Sequence, residues 1–403
     1  MTPAQDEPTA PVSARWIGAL SLATFGMSIA VLTPIQVLLP LQIEAINPAD
    51  KVGNLGWITT VAAVVSIIVC PIAGALSDRT TSRFGRRRPW VLASALVCAG
   101  GLVTLGAQHT IIGVALAWML VQAATNTLYA ALSATVPDRV PIPQRGLVSA
   151  FVGLPLPLSL VVGAFLVSTV VTGQFGGYLL LALMLPVLVL PFVLDPSDRP
   201  HPVVTASQPL RAWVDVRHKD LGWAFVCRFA IQLANAVGTL YLLYYLRDVA
   251  HRPDPAKSVF LLIVVYTVGV LLTSVVGGRW SDSSGRRKPF VVVSSLVVAA
   301  AMTTLALAQT WPMAILAAAL MGIGYGSYLA VDNALITQVL PAAADRARDL
   351  GIVNTANTAP QAMAPAVAGT VLSQLGGYTP LYLLAAVSAL LGAAFIVPVR
   401  GVR

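Results

Sequence analysis

The chain has 403 residues, of which 57% are hydrophobic and only 10% are charged. A chain with this small share of charged side chains cannot cover the surface of a water-soluble domain of this size. The composition therefore excludes a soluble enzyme and favours a polytopic membrane protein. The formal net charge of +9 does not indicate nucleic-acid binding, because the arginines cluster in short loops beside apolar segments and no basic patch is interleaved with aromatic residues.

The N-terminal residues 1–15 lack the basic stretch and short apolar core of a cleavable signal, so we expect the first apolar segment to remain as a membrane anchor. Cys70, Cys98 and Cys227 all fall within apolar segments and have no paired spacing. We therefore expect no disulfide framework, no metal site and no cofactor. The sequence contains no phosphate-binding Gly-x-x-x-x-Gly-Lys loop and no catalytic triad, which argues against an ATPase or a membrane hydrolase.

Apolar segments long enough to cross a bilayer recur along the chain. A hydrocarbon core of about 30 Å requires about 20 helical residues, since each span must satisfy its own backbone hydrogen bonds. This criterion predicts twelve spans, at 16–41, 53–76, 89–108, 111–136, 146–171, 177–194, 221–247, 258–280, 289–309, 312–339, 350–372 and 378–398.

The longest polar stretch, residues 195–220, divides the spans six and six and is predicted to be a cytoplasmic linker. The predicted domains are an N-terminal tail (1–15), a first bundle (16–194), this linker, a second bundle (221–398) and a C-terminal tail (399–403). The halves repeat at an offset near 200 residues, since Asp78 corresponds to Asp282 and Pro89 to Pro289. Because six is an even number, both copies have the same orientation, as in transporters built from parallel repeats.

Basic residues are strongly biased to one side of the predicted membrane. Placing both termini in the cytoplasm puts the arginine-rich loops, the linker and both tails inside, and leaves Lys51, Arg247, Arg252 and Lys257 outside. The positive-inside rule therefore predicts a multi-pass protein of the cell membrane with cytoplasmic termini.

Two charged loops follow the second and eighth spans, at residues 74–89 and 278–289. Their pattern resembles the hallmark Gly-x-x-x-Asp-Arg/Lys-x-Gly-x-Arg/Lys-Arg/Lys of the major facilitator superfamily. The first copy carries an insertion, Ser77-Asp-Arg-Thr-Thr-Ser-Arg-Phe-Gly-Arg-Arg-Arg-Pro89, and looks like the sucrose and glycoside-pentoside-hexuronide cation-symporter branch. Leu32-Thr33-Pro34 is similar to that branch as well. The resemblance implies an all-α fold of twelve transmembrane helices in two pseudo-symmetric six-helix bundles.

The charged loops also predict an inner gate. A carboxylate at a helix end can pair with loop arginines while the inner face is closed and release them when it opens. The alternative is that the arginines only fix topology and touch lipid headgroups. The predicted gate residues are Asp78, Arg79, Arg86, Asp138, Asp282, Arg286 and Asp345.

Polar side chains recur at helical spacing in spans 1, 4, 7, 10 and 11. The resemblance implies that spans 1, 4, 7 and 10 line a central cavity, where amides and phenols suit the hydroxyl groups of a polyol. The alternative is that each amide is an interhelical hydrogen-bonding residue. The candidate substrate-binding residues are Thr33, Gln36, Gln122, Asn126, Tyr129, Arg228, Gln232, Asn235, Tyr325, Tyr328, Asn333, Asn354 and Asn357.

Two charged residues, Arg228 and Asp332, are predicted at equal depth, about 10 Å below the cytoplasmic surface, where they can meet. Asp332 is then a candidate for proton coupling, and the alternative is a static ion pair. Glu44, near the outer end of span 1, is a second proton candidate, for which the alternative is an interfacial side chain that reaches water.

These features predict a secondary transporter that moves a small polar solute, a sugar or glycoside, by alternating access with proton coupling. It is expected to be monomeric, to have a small-molecule substrate, protons and the lipid bilayer as its partners, and to bind no nucleic acid. Proton-coupled efflux of drugs or metabolites is one alternative, because Ala- and Val-rich spans leave room for an apolar cavity. A non-transporting membrane receptor is another.

Overall fold

The computed structural model describes residues 11–80, 82, 84–171, 173–195, 219–284, 287–307, 309–339 and 346–399, and within them all regular structure is helical. The first half contains eight α-helices and two short π-helical segments. They are α1 (Ala14–Thr33), a π-segment (Pro34–Leu38), α2 (Leu39–Ile46), α3 (Lys51–Asp78), α4 (Arg88–Gly106), α5 (Ile111–Arg139), α6 (Ile142–Gly153), α7 (Pro155–Phe165), a second π-segment (Leu166–Val170) and α8 (Gln174–Val193).

The second half contains seven α-helices in its described residues. They are α9 (Lys219–Leu240), α10 (Leu242–Asp248), α11 (Pro255–Ser284), α12 (Lys288–Leu307), α13 (Trp311–Val339), α14 (Arg346–Leu375) and α15 (Tyr378–Phe395). Helix ends follow local chemistry, since the Ser13 hydroxyl accepts a hydrogen bond from the Trp16 amide and caps α1. Gly376 and Gly377 adopt positive φ angles of 63° and 124° at the turn between α14 and α15.

Large apolar side chains cover the outside of these helices. Ile67, Val187 and Leu272 are 57%, 67% and 64% exposed, which a water-soluble protein would not tolerate over so many positions. Among the described residues, eleven helical stretches are long and apolar enough to cross a membrane. Of the twelve predicted spans, only the eleventh, which corresponds to α14, is not among these stretches.

The chain divides into two compact units, Met1–Ala49 with Val61–Gln208, and Asp50–Thr60 with Pro209–Arg403. The units repeat one packing scheme. In the first, α1 packs against α7 and α8, and α4 packs against α5 and α8; in the second, α9 packs against α14 and α15, and α12 packs against α13 and α15.

Several spans are not straight α-helices. The predicted first span is interrupted by the π-segment that begins at Pro34, and the fifth is divided before Pro155, because proline cannot donate an intrahelical hydrogen bond. The seventh is divided at Tyr241, between α9 and α10. Helix α14 continues through Pro360 and Pro365.

Candidate functional site

A buried ion pair joins α9 to α13 in the second unit. Arg228 Nη2 lies 3.1 Å from Asp332 Oδ2, and the two side chains are only 12% and 5% exposed. The Tyr328 hydroxyl donates to the other oxygen, Asp332 Oδ1, at 2.7 Å. Both carboxylate oxygens therefore have a partner, which offsets much of the cost of removing the charge from water.

Two further polar pairs continue along the same face of α9. The Tyr325 hydroxyl of α13 donates to Gln232 Oε1 at 2.6 Å, and the Tyr266 hydroxyl of α11 donates to Asn235 Oδ1 at 3.1 Å. Because Arg228 and Asn235 are seven residues apart, the three pairs extend over about 10 Å along the helix. We call this set the α9 ladder; its members are Arg228, Gln232, Asn235, Tyr266, Tyr325, Tyr328 and Asp332.

The ring faces of the ladder tyrosines lie close together. The Tyr266 and Tyr325 rings stack with their centroids 6.3 Å apart, and the Tyr325 and Tyr328 centroids are 6.2 Å apart. Hydroxyl groups, amides and aromatic faces thus occur side by side, which suits a ligand with both polar and apolar surfaces.

Close helix packing positions these tyrosines. A Cβ atom added at Gly322 of α13 would lie 2.3 Å from the Tyr266 carbonyl oxygen of α11, and one added at Gly326 would lie 2.5 Å from the Val270 carbonyl oxygen. Gly322-x-x-x-Gly326 is the small-residue spacing that lets membrane helices approach closely. The two glycines therefore hold the Tyr266 and Tyr325 rings within stacking distance.

The Arg228 guanidinium retains hydrogen-bonding capacity. Its Nε is buried and has no hydrogen-bond partner among the described residues. Since an unsatisfied buried donor is costly, this nitrogen is a natural position for an oxygen atom of a ligand or for water. The ladder can thus accept an oxygen ligand at Arg228.

The polar stripe of the fourth span lies on α5 in the first unit. The Asn126 amide donates to Ser66 Oγ of α3 at 2.9 Å and to the Gln122 carbonyl at 2.8 Å. Tyr129, one turn further along, is 47% exposed. Asn126 therefore connects two helices, as expected for an interhelical hydrogen-bonding residue. Gln122 is half-buried, and the Tyr129 side chain is exposed.

The candidates in the first span differ in their surroundings. Thr33 is 2% exposed and packs against Gly163 of α7, where an added Cβ would overlap the threonine hydroxyl. Gln36 is half-buried in the π-segment. Glu44 is 9% exposed, so its side chain is mostly shielded from solvent, contrary to the interfacial alternative.

Part of the predicted gate is an ion-pair cluster within the first unit. Arg86 Nη2 and Arg87 Nε lie 2.7 Å and 3.1 Å from Asp138 Oδ2, and the Arg87 guanidinium also donates to Ser77. This cluster ties the start of α4 to the last turn of α5 and to α3. Arg79 is exposed at the end of α3.

Some predicted residues lie outside the described part of the structure. Arg286 and Asp345 have no described backbone, and the side chains of Asp78, Asp282, Asn333, Asn354 and Asn357 are not described, although these five belong to helices. Their roles stay predictions.

Sequence reasoning missed Tyr266 and Ser66. The signal for Tyr266 is a single phenol in the aliphatic run Leu-Leu-Ile-Val-Val-Tyr266. The spacing rule did not select it, because no second amide or phenol recurs at helical spacing within α11. Ser66 gives a still weaker signal, since serine is common in membrane helices.

Solved structures share the fold over almost the whole chain. A POT family transporter in complex with a thioalcohol-conjugated peptide superposes with a TM-score of 0.74 at 15% identity, and the match covers 94% of this chain and 95% of that one. A POT family transporter in complex with 5-aminolevulinic acid gives a TM-score of 0.76 at 13% identity, with the same coverage. These similarities confirm the predicted fold class.

Sequence relatives match a shorter region. Proton-associated sugar transporter A of Homo sapiens is 35% identical over 94 residues, which are 23% of this chain and 11% of that protein. The Mus musculus protein of the same name is 34% identical over 82 residues, which are 20% of this chain and 10% of that protein. The matched regions thus span only about a tenth of these relatives' length.

The Major Facilitator Superfamily model matches residues 16–263 and 256–402, which together take in nearly the entire chain. With the repeated helix packing and the shared fold, this match shows that the chain is a transporter-type multi-pass membrane protein and belongs to the major facilitator superfamily.

Proposed function

We propose that this protein is a proton-coupled symporter of a small polyhydroxylated solute, a sugar or a glycoside. The observation that carries the proposal is the Arg228–Asp332–Tyr328 group at the base of the α9 ladder. A carboxylate and a guanidinium that form a buried ion pair within membrane helices, beside amides and phenols, are typical of a site that exchanges a proton and a solute.

The ion pair supplies a coupling mechanism. While Asp332 is ionised, it holds Arg228 by charge and accepts a hydrogen bond from Tyr328. Protonation of Asp332 removes the charge attraction, so the Arg228 guanidinium becomes available to donate to a substrate oxygen. Loss of the proton reverses this exchange and favours release of the substrate.

The remaining ladder residues favour a polyol over other solutes. Gln232 and Asn235 each carry an amide that can donate and accept, and hydroxyl groups need both. The stacked faces of Tyr266 and Tyr325 suit the apolar face of a sugar ring. The name of the partly matching relatives, proton-associated sugar transporter A, is consistent with this class.

A thermal-shift screen of the purified protein against a panel of sugars tests the substrate class. We expect at least one mono- or disaccharide to raise the Tm, and the increase to be lost in Gln232→Leu. The matched control is Gln309→Leu, which removes an amide that donates to Thr379 in the same unit but outside the ladder. If no sugar raises the Tm while an apolar drug does, the protein is an efflux carrier and the proposed substrate class is wrong.

We further propose that both termini lie in the cytoplasm and that the protein acts as a monomer in the cell membrane. The positive-inside bias supports the orientation. Rocking of the two units, each with its own packed core, would provide alternating access.

A further inference from the structure

A groove on the lipid-exposed face of the second unit is distinct from the α9 ladder. It lies between α11 and α12 over α13 and has a volume of about 430 Å³. Its walls include Val276, Trp280 and Val293, which are 62%, 65% and 58% exposed. Val293 lies in a stretch long and apolar enough to span a membrane, and Val276 and Trp280 follow directly after another such stretch on α11, so we place the groove at the lipid-facing surface near the membrane boundary.

The chemistry of the groove excludes a polar ligand. Three hydroxyl groups line it, and each is already bonded within its own helix: Thr273 donates to the Gly269 carbonyl, Ser294 to Phe290 and Ser327 to Ile323. The remaining lining is aliphatic, aromatic, proline or glycine. An occupant therefore finds largely apolar surface and hydroxyl groups that are already bonded, which is the environment of a hydrocarbon chain.

The shape of the groove suits an acyl chain that runs parallel to the helices. Along α11 it extends from Thr273 to Trp280, a distance of about 10 Å. Gly277 forms part of the wall and leaves α11 close to α13, since an added Cβ would lie 3.6 Å from Ser327 Cα, in van der Waals contact. With a volume of about 430 Å³, the groove can shelter part of a lipid tail.

The mouth of the groove has the features of a membrane interface. Trp280 and Phe290 stack edge to face at this end, and such aromatic residues are common at headgroup level. Lys288 directly precedes the lining residue Pro289 at the start of α12, and among the described residues its ammonium group donates only to the Val397 carbonyl, at 3.4 Å. A lysine at headgroup level attracts a phosphate.

We propose that this groove is a binding site for an anionic phospholipid, whose acyl chain occupies the space between α11 and α12 and whose phosphate lies near Lys288. The acyl chain makes dispersion contacts with the apolar walls of the groove. The lysine selects for negative charge. The site is independent of solute transport through the α9 ladder.

Native mass spectrometry of the full-length protein in detergent tests this site, with palmitoyl-oleoyl phosphatidylglycerol and the matching phosphatidylcholine supplied at equal concentrations. The expected result is at least fivefold higher occupancy by phosphatidylglycerol. Gly277→Leu and Ser327→Leu, which fill the groove from two helices, should each reduce that occupancy at least fivefold. Leu272→Phe, which enlarges an exposed side chain of α11 that does not line the groove, should leave it unchanged.

The charge is tested separately. Lys288→Gln should remove the preference for phosphatidylglycerol, while Lys257→Gln, at the other end of α11, should retain it. Equal binding of both lipids by the unmodified protein would overturn the proposal, as would unchanged occupancy in both groove-filling variants. Loss of a protein dimer in those variants, without a change in lipid binding, would also overturn it and would identify a second copy of the chain as the occupant.

Discussion

At the residue scale, the central feature is a carboxylate that is nearly free of solvent yet fully partnered. Asp332 accepts from Arg228 on one oxygen and from Tyr328 on the other. A side chain so placed cannot gain or lose a proton without changing its neighbours, because among the described residues the charge of Arg228 is balanced by Asp332 alone. This dependence makes the pair suitable for coupling.

We predict that Asp332→Asn abolishes proton-driven accumulation of substrate but retains exchange down a concentration gradient, because asparagine keeps the shape and loses the titratable group. The variant also leaves Arg228 as an unpaired buried charge, which should cost about 3 kcal/mol or more of folding free energy. Uptake with and without a pH gradient, together with the Tm, measures both effects.

The double variant Arg228→Gln/Asp332→Asn is the control for this prediction. It restores electrical neutrality, so most of the lost stability should return while proton coupling should remain absent. Full proton-driven uptake in Asp332→Asn would show that the pair is a static structural contact.

Removal of the Tyr266 hydroxyl tests a residue that the sequence did not reveal. Tyr266→Phe deletes one hydrogen bond to Asn235, so we expect a loss of about 1 kcal/mol, or about a fivefold increase in the substrate KM. Tyr245→Phe deletes a comparable hydrogen bond, to the Leu305 carbonyl outside the ladder, and should leave the KM unchanged. Equal effects of the two variants would exclude a specific role for Tyr266.

Sequence predicted part of the α9 ladder and the structure supplied the rest. Arg228, Gln232 and Asn235 follow a helical period, and the equal depth of Arg228 and Asp332 follows from counting residues from the helix ends. The pairing of each tyrosine with its amide depends on how the helices rotate and cross. The periodicity of a single helix does not contain that information. For that reason Tyr266 emerged only from the packing of α11.

At the element scale, close contact between α11 and α13 determines the geometry of the ladder. Gly269 and Gly322 face each other, and a Cβ added at Gly269 would lie 3.1 Å from the Gly322 backbone. Backbones at this distance leave no room for larger residues. The glycines thus have a structural function that the sequence alone shows only as the spacing Gly322-x-x-x-Gly326.

We predict that Gly322→Ala destabilises the protein by about 1–3 kcal/mol and weakens substrate binding, since the new methyl group would lie 2.3 Å from the Tyr266 carbonyl oxygen and must push α11 away. Gly100→Ala is the matched control, because no atom lies within 4 Å of its added Cβ, and it should be neutral or slightly stabilising. Thermal unfolding and the substrate KM are the measurements. An unperturbed Gly322→Ala variant would contradict the packing argument.

Proline residues coincide with some helix irregularities and not with others. Pro34 and Pro155 mark real breaks, but α14 continues through Pro360 and Pro365, because a membrane helix that has neighbours to satisfy its freed carbonyl groups tolerates proline. The division at Tyr241 has no proline to indicate it. Local sequence therefore predicts where a helix can bend, and packing decides whether it does.

At the scale of the whole molecule, the sequence predicts the twelve spans because their number depends on the length and hydropathy of the apolar segments alone. The charged loops carried the superfamily resemblance, and the family model and the solved structures agree with it. The substrate, the direction of transport and the coupling ion depend on a few side chains. No periodic pattern in the sequence predicts these three properties.

Orientation gives a prediction at this scale. In a Cys70→Ser background, Lys257→Cys should react with a membrane-impermeant maleimide in intact cells, and Arg79→Cys should react only after permeabilisation. Both native side chains are exposed, so accessibility depends on the side of the membrane. The opposite labelling pattern would place the termini outside and invalidate the positive-inside assignment.

The most direct test of the account is solute-driven proton movement in liposomes that contain the purified protein and an internal pH indicator. With a sugar that stabilises the protein, we predict that adding the sugar outside acidifies the lumen, and that Asp332→Asn abolishes this signal. Sugar uptake without proton movement, or proton movement that persists in Asp332→Asn, would contradict proton-coupled transport through the Arg228–Asp332 pair.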